Sequence, residues 1–211
     1  MRAREDWKAL SESLAFVGNS LLAPMNQTAW VGLAPEFWNE FPTFGDSAIA
    51  AATAALAEYA VALGQSEESI DARVSQVSVE YTRLFVGPPK PAAAPWESAY
   101  RKGSAPGVGF GQAAHEMRAL YRAAGLETPN DNHQYADHIG LEVLYASVLC
   151  ARIADEPDDS QRGEMQQEYV AYCTGHPLVW IDDFSLAVSA TFPSGYFAHM
   201  LALAAALLVL N

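Results

Sequence analysis

Apolar residues recur at three- and four-residue steps along most of this chain and nowhere alternate over a useful length, so its regular elements are helices. Trp7, Leu10, Leu14, Val17 and Leu21 share one helical face, and Pro24 ends that segment. Residues 30–44 are rich in aromatics, glycine and proline, with room for one short helix over 36–41. Asp46 stands where an N-cap belongs, before an alanine-rich helix carrying Ile49, Thr53, Leu56, Tyr59 and Leu63 that Gly64 stops.

Ser66 is the expected cap of the next helix, with Glu67 and Glu68 at the positive end of its dipole. Its stripe is Ile70, Val74, Val77, Tyr81 and Leu84, widened by Phe85, and it must stop at Gly87. Pro88, Pro89, Pro91 and Pro95 make the following connection extended and stiff, and a glycine-rich loop spans 103–111. Further helices are expected over 112–124, with Met117, Leu120 and Tyr121 inward, and over 137–154, 160–173, 181–191 and 194–210. The predicted architecture is all-α: one single-domain helical bundle over 1–211, of eight to ten helices, with 1–65 as a more loosely attached part.

Hydrophobic residues make up 51% of the 211 and charged residues only 18%, enough apolar surface for a sizeable core. The net charge of −13 repels phosphate backbones and anionic lipid, which argues against nucleic acid and membrane surfaces and favours a basic peptide. Cys150 and Cys173 form no CxxC pattern and are expected as core thiols in a reducing cytosol. The first residues lack the apolar stretch of a signal peptide. The run 196–210 is too short for a membrane span and is expected as a buried core helix.

Catalytic and metal signatures fail on inspection. His115-Glu116 opens like HExxH, but Ala119 stands where the second histidine belongs, and His133 and His138 have no cysteine near them. Gly107, Gly109 and Gly111 read GxGxG with no strand before them, so the loop is a flexible connection. No GxSxG elbow or phosphate-binding loop occurs, and no metal or cofactor is expected. Asp137-His138 allows two readings: Asp137 as an N-cap, or a carboxylate and an imidazole at a helix start that hold an arginine. Trp96 and Tyr100 likewise either pin the proline-rich loop to the core or present aromatics for binding.

At these residues the chain resembles the TorD/DmsD family of redox enzyme maturation chaperones. Tyr81, Leu84, Phe85, Gly87, Pro95, Trp96, Ser98 and Tyr100 match its first signature in order and spacing. Asp137 and His138 fit its second, a Glu-Pro-x-Asp-His type helix start, with Tyr135 and Ala136 where proline is commoner. His176-Pro-Leu-Val-Trp180, the Phe184-bearing helix and the start of the last helix give a weaker third match. The resemblance covers residue 70 to the C-terminus.

It implies a cytoplasmic, non-enzymatic chaperone that binds the twin-arginine leader of a molybdopterin-containing oxidoreductase subunit. Export is delayed until the cofactor is inserted, with the Tat translocon or the cofactor-insertion machinery as further partners. The signature residues and Glu142 would line or shape the peptide site, with Asp131 and Glu97 as further candidate carboxylates. Asp137→Ala would then weaken peptide binding with helical content unchanged. A helical scaffold or adaptor, or a hydrolase using Asp137 and His138, stands as the alternative, and monomer or homodimer is left open.

Overall fold

The computed structural model describes residues 2–28, 30–87, 89–101, 111–127 and 134–211. Along the chain run α1 (Arg4–Leu22), α2 (Pro35–Asn39), α3 (Ser47–Gly64), α4 (Ile70–Tyr81), α5 (Gln112–Ala123), α6 (Ile139–Asp155), α7 (Asp159–Gly175), α8 (Pro177–Thr191) and α9 (Tyr196–Leu208). Among the described residues there is no strand, only an isolated antiparallel bridge between Trp96 and His138. The fold is an all-α bundle.

Local chemistry accounts for most boundaries. Asp46 caps α3 as expected, accepting from the backbone N–H groups of Ala48 and Ile49. The next cap is Ser69, not Ser66: Ser69 accepts from the N–H of Ala72, while the Ser66 hydroxyl turns back to the carbonyl of Leu63. Glu67 and Glu68 thus precede the helix instead of filling its first turn. Helix α8 starts four residues earlier than its periodicity suggests, because Pro177 serves as its first residue. Helix α4 does not end cleanly. It widens into a π-turn over Thr82–Val86, closed by a bond from the Gly87 N–H to the Thr82 carbonyl. Gly87 has φ +94°, and a Cβ there would meet the Lys90 backbone at 2.5 Å, so only glycine lets the chain leave this turn.

The core is built around α1 and α6, the most extensively packed pair, with α9 across α1, α3 and α8. Trp7, Leu10, Leu14, Val17 and Leu21 are all buried on α1, as the periodicity requires. Two glycines set the α1–α6 approach. A Cβ on Gly18 would lie 2.9 Å from the Gly140 carbonyl, and one on Gly140 would lie 2.8 Å from the Gly18 carbonyl. Backbone therefore packs on backbone where the helices cross.

Helix α9 is a core helix, with Met200, Leu201, Leu203, Ala204 and Leu207 fully buried. Its N-terminus is capped from another element: the buried Glu80 of α4 accepts from the N–H groups of Tyr196 and Phe197 at 3.3 and 3.0 Å. Burial pushes the Glu80 carboxyl above its usual range, partly offset by these two bonds. Helix α3 is long and apolar enough, with a mean hydropathy of 1.4, to cross a membrane by length and composition alone. It packs Ile49, Thr53, Leu56 and Ala60 inward, against neighbours that include α2 and α9.

Replacing either crossing glycine tests this arrangement. Gly140→Ala should cost about 1–3 kcal/mol by urea denaturation, the usual range for forcing atoms into a packed core. Gly163→Ala, on α7 where a Cβ meets nothing within 4 Å, should not destabilise.

Candidate functional site

The proline-rich loop, the start of α6 and the α7–α8 junction meet at a network of buried polar groups. Pro95, Glu97 and Ser98 bring the loop to α6. The Ile139 N–H donates to the Pro95 carbonyl and the Glu97 N–H to the Asp137 carbonyl, both at 2.9 Å. The Asp137 Oδ2 accepts from the Ser98 N–H at 2.9 Å and also from the Ser98 hydroxyl. Asp137 and His138 are both fully buried. Asp137 is thus not a helix cap. The cap of α6 is His138, whose Nδ1 accepts from the Gly140 N–H at 3.0 Å, which fixes the tautomer with hydrogen on Nε2. Complete burial pushes the imidazole down to about 3, so it is neutral.

Asp137 and His138 have separate partners and do not form a dyad. Burial raises the Asp137 carboxyl, partly offset by its two bonds from Ser98. Asp137 Oδ1, His138 Nε2 and Trp96 Nε1 are buried with no hydrogen-bond partner among the described residues.

Glu97 and Glu142 form the charged centre. Both are fully buried. Glu97 receives Arg101 Nε at 2.5 Å and His176 Nδ1 at 3.1 Å. Burial pushes the Glu97 carboxyl up, but the hydrogen bond from His176 and the charges of His176 and Arg101 hold it below its usual range. Glu142 goes the other way: burial first, then the neighbouring Glu97 carboxylate, push it well above the carboxylate range, against a bond from Trp180. Its Oε2 accepts from Trp180 Nε1 at 3.1 Å, while Oε1 has no donor facing it among the described residues. Glu142 is therefore held in its neutral form beside the charged Glu97.

Arg101 ties this centre to other elements through Glu116 of α5 at 2.8 Å and the Gly175 carbonyl at 2.9 Å. Tyr172 donates to the Glu142 carbonyl and Tyr121 to the Ala136 carbonyl.

Of the aromatic signature residues, Tyr81 and Phe85 are core residues and Tyr100 packs half-buried against the core. Tyr81 donates to the Leu22 carbonyl and packs edge-on against Phe85 and Phe197. Leu84 is fully buried, and Phe85 also touches Phe184. Tyr100 stacks on Trp180 with centroids 5.3 Å apart, which decides for pinning of the loop; Trp96 is half-buried against Tyr135. Sequence reading missed Arg101 and Tyr172, because hydrogen bonds between distant elements leave no local pattern. Asp131, His133, Pro88 and the glycines 103–109 lie outside the described residues.

The descriptive family model "Nitrate reductase delta subunit" matches residues 45–185, about two thirds of the chain, and the chain belongs to that family. The match takes in both signatures. It is also similar to two proteins named Chaperone protein TorD: 25% identical over 122 residues to that of Photobacterium profundum, and 28% over 127 residues to that of Aeromonas salmonicida. These matches cover 58% and 60% of this chain and 56% and 55% of the relatives, so the chain spans just over half the length of the proteins it matches. The resemblance to the TorD chaperones carried by the motifs is borne out.

The protonated Glu142 has a consequence for stability. A carboxyl raised on folding stabilises most below its unfolded value of about 4.3, and this contribution is lost as pH rises toward the folded value. Glu142→Gln puts an uncharged side chain of the same shape in its place and removes that titration. In thermal melts between about pH 5 and 9 the variant should gain on the wild type as pH rises. A difference that does not change with pH would mean that Glu142 is not the group held neutral.

Proposed function

We propose that this protein is a cytoplasmic, non-enzymatic maturation chaperone that binds the twin-arginine leader of a molybdopterin-containing oxidoreductase subunit and delays export until the cofactor is inserted. The observation that carries this reading is the joining of both family signatures in one buried network: Pro95 and Ser98 of the first bonded to Ile139 and Asp137 at the second. Tyr81, Leu84, Phe85, Gly87, Pro95, Trp96, Ser98, Tyr100, Asp137, His138 and Glu142 act together in this reading. They hold the π-turn, the proline-rich loop and the start of α6 in a fixed relation that shapes the peptide site.

A mostly apolar cavity of about 190 Å³ lies alongside, lined by Tyr121, Leu126, Leu141, Leu144, Tyr145 and Val148 together with Glu127. It suits an apolar side chain of the leader. The net charge of −13 favours approach of a basic peptide. Side chains committed to structural bonds, with Asp137 tied to Ser98 and His138 to Gly140, fit a binding protein better than a hydrolase.

Calorimetric titration with leader peptides of the organism's molybdopterin oxidoreductases, each beside its twin-lysine counterpart, checks this. Tight binding to one leader, weakened by the lysine exchange, is expected. Absence of binding to every leader, with the protein folded, would overturn it.

A further inference from the structure

An unassigned pocket lies on the other side of α1, outside residues 45–185 that the family model matches. Its volume is about 310 Å³, and its walls include Phe16, Phe37, Phe41, Glu12 and Glu40. The sequence builds it by helical spacing. Glu12 and Phe16 are four apart on α1 and project to one side. Phe37 on α2, with Glu40 and Phe41 just beyond that helix, comes at steps of three and four. Phe16 joins the two groups, with its ring centroid 4.7 Å from Phe37 and 6.4 Å from Phe41; Phe37 and Phe41 lie 5.9 Å apart. Trp38 locks the cluster from behind: its Nε1 donates to the Gly32 carbonyl at 2.8 Å, and its ring packs against Phe37 at 4.9 Å.

The two carboxylates are not spent on the fold. Glu12 and Glu40 are exposed, and neither has an ion-pair partner among the described residues. This separates them from Glu97, Glu142 and Asp137, which are buried and committed. Three rings with two free carboxylates at the rim suit a delocalised cation. Ring faces attract it, and each carboxylate accepts its N–H groups. Arginine fits better than lysine, since a planar guanidinium stacks on rings and binds carboxylates through paired donors.

We propose that this pocket receives an arginine side chain of the client's leader peptide. Glu12 and Glu40 pair with the guanidinium and Phe16, Phe37 and Phe41 cradle it. The inference rests on the leader-binding reading and gives a role to the N-terminal part of the chain. It assigns the arginine contact to exposed carboxylates rather than to the buried ones of the signatures.

The full-length chain is tested with a leader peptide, its twin-lysine counterpart and N-acetyl-diarginine amide. The Glu12→Gln/Glu40→Gln variant should bind the leader roughly tenfold more weakly with an unchanged thermal midpoint, and should discriminate less between arginine and lysine peptides. Phe37→Leu, which keeps the apolar bulk and removes the ring, should also weaken binding. A double variant that binds the leader as tightly as the wild type overturns the pocket and leaves the leader reading standing. If the wild type binds no leader, that reading falls, and diarginine amide decides the pocket alone by NMR. Shifts of the Phe16, Phe37 and Phe41 ring resonances that vanish in the double variant support the pocket; no shift at millimolar probe overturns it.

Discussion

The backbone contact between α1 and α6 at Gly18 and Gly140 governs the geometry of the rest. With no side chain between them, the two helices cross at carbonyl distance, and any Cβ at either position meets backbone within 3 Å. Gly140 is two residues from the cap His138 and two from Glu142. The crossing therefore fixes the start of α6, and with it the orientation of the polar groups there. Leu22, at the end of α1, gives its carbonyl to Tyr81, so the same helix also steadies the approach to the π-turn.

Around that anchored helix start, burial is made tolerable by partition of charge. Among Glu97, Glu142 and Asp137 the environment decides which carboxyl carries charge. Glu97 faces Arg101 and His176 and stays ionised; Glu142 faces Glu97 and keeps its proton. Such a network contributes less to net stability than its bonds suggest, because each charge pays for desolvation. What it supplies is position: a proline-rich loop, an α-helix start and the α7–α8 junction locked to one another by directional bonds.

The sequence motifs and the structure bear on function in different ways. Most signature residues are interior: Tyr81, Leu84, Phe85, Pro95, Ser98, Asp137 and His138 are buried, while Gly87, Trp96 and Tyr100 are half-buried. The unpaired carboxylates over the Phe16, Phe37 and Phe41 cluster are on the surface and on the part of the chain that carries no signature.

Helical class, the buried stripe of α1, the Asp46 cap and the stop at Gly87 were legible in the sequence, because helical periodicity, capping and positive φ are local properties of a few neighbouring residues. Local logic misplaced the α4 cap by three residues, since Ser66 and Ser69 are equally good caps until packing chooses between them. It also left Asp137 and Tyr100 undecided, and could not see that Glu80 caps a helix 116 residues away. Partners so distant are chosen by which helices pack together, and the opposite shifts of Glu97 and Glu142 arise only once both are buried near each other. The sequence by itself determined the helices and the signatures; tertiary structure decided which carboxylates are buried and paired and which remain free, because burial and pairing are properties of the packed chain.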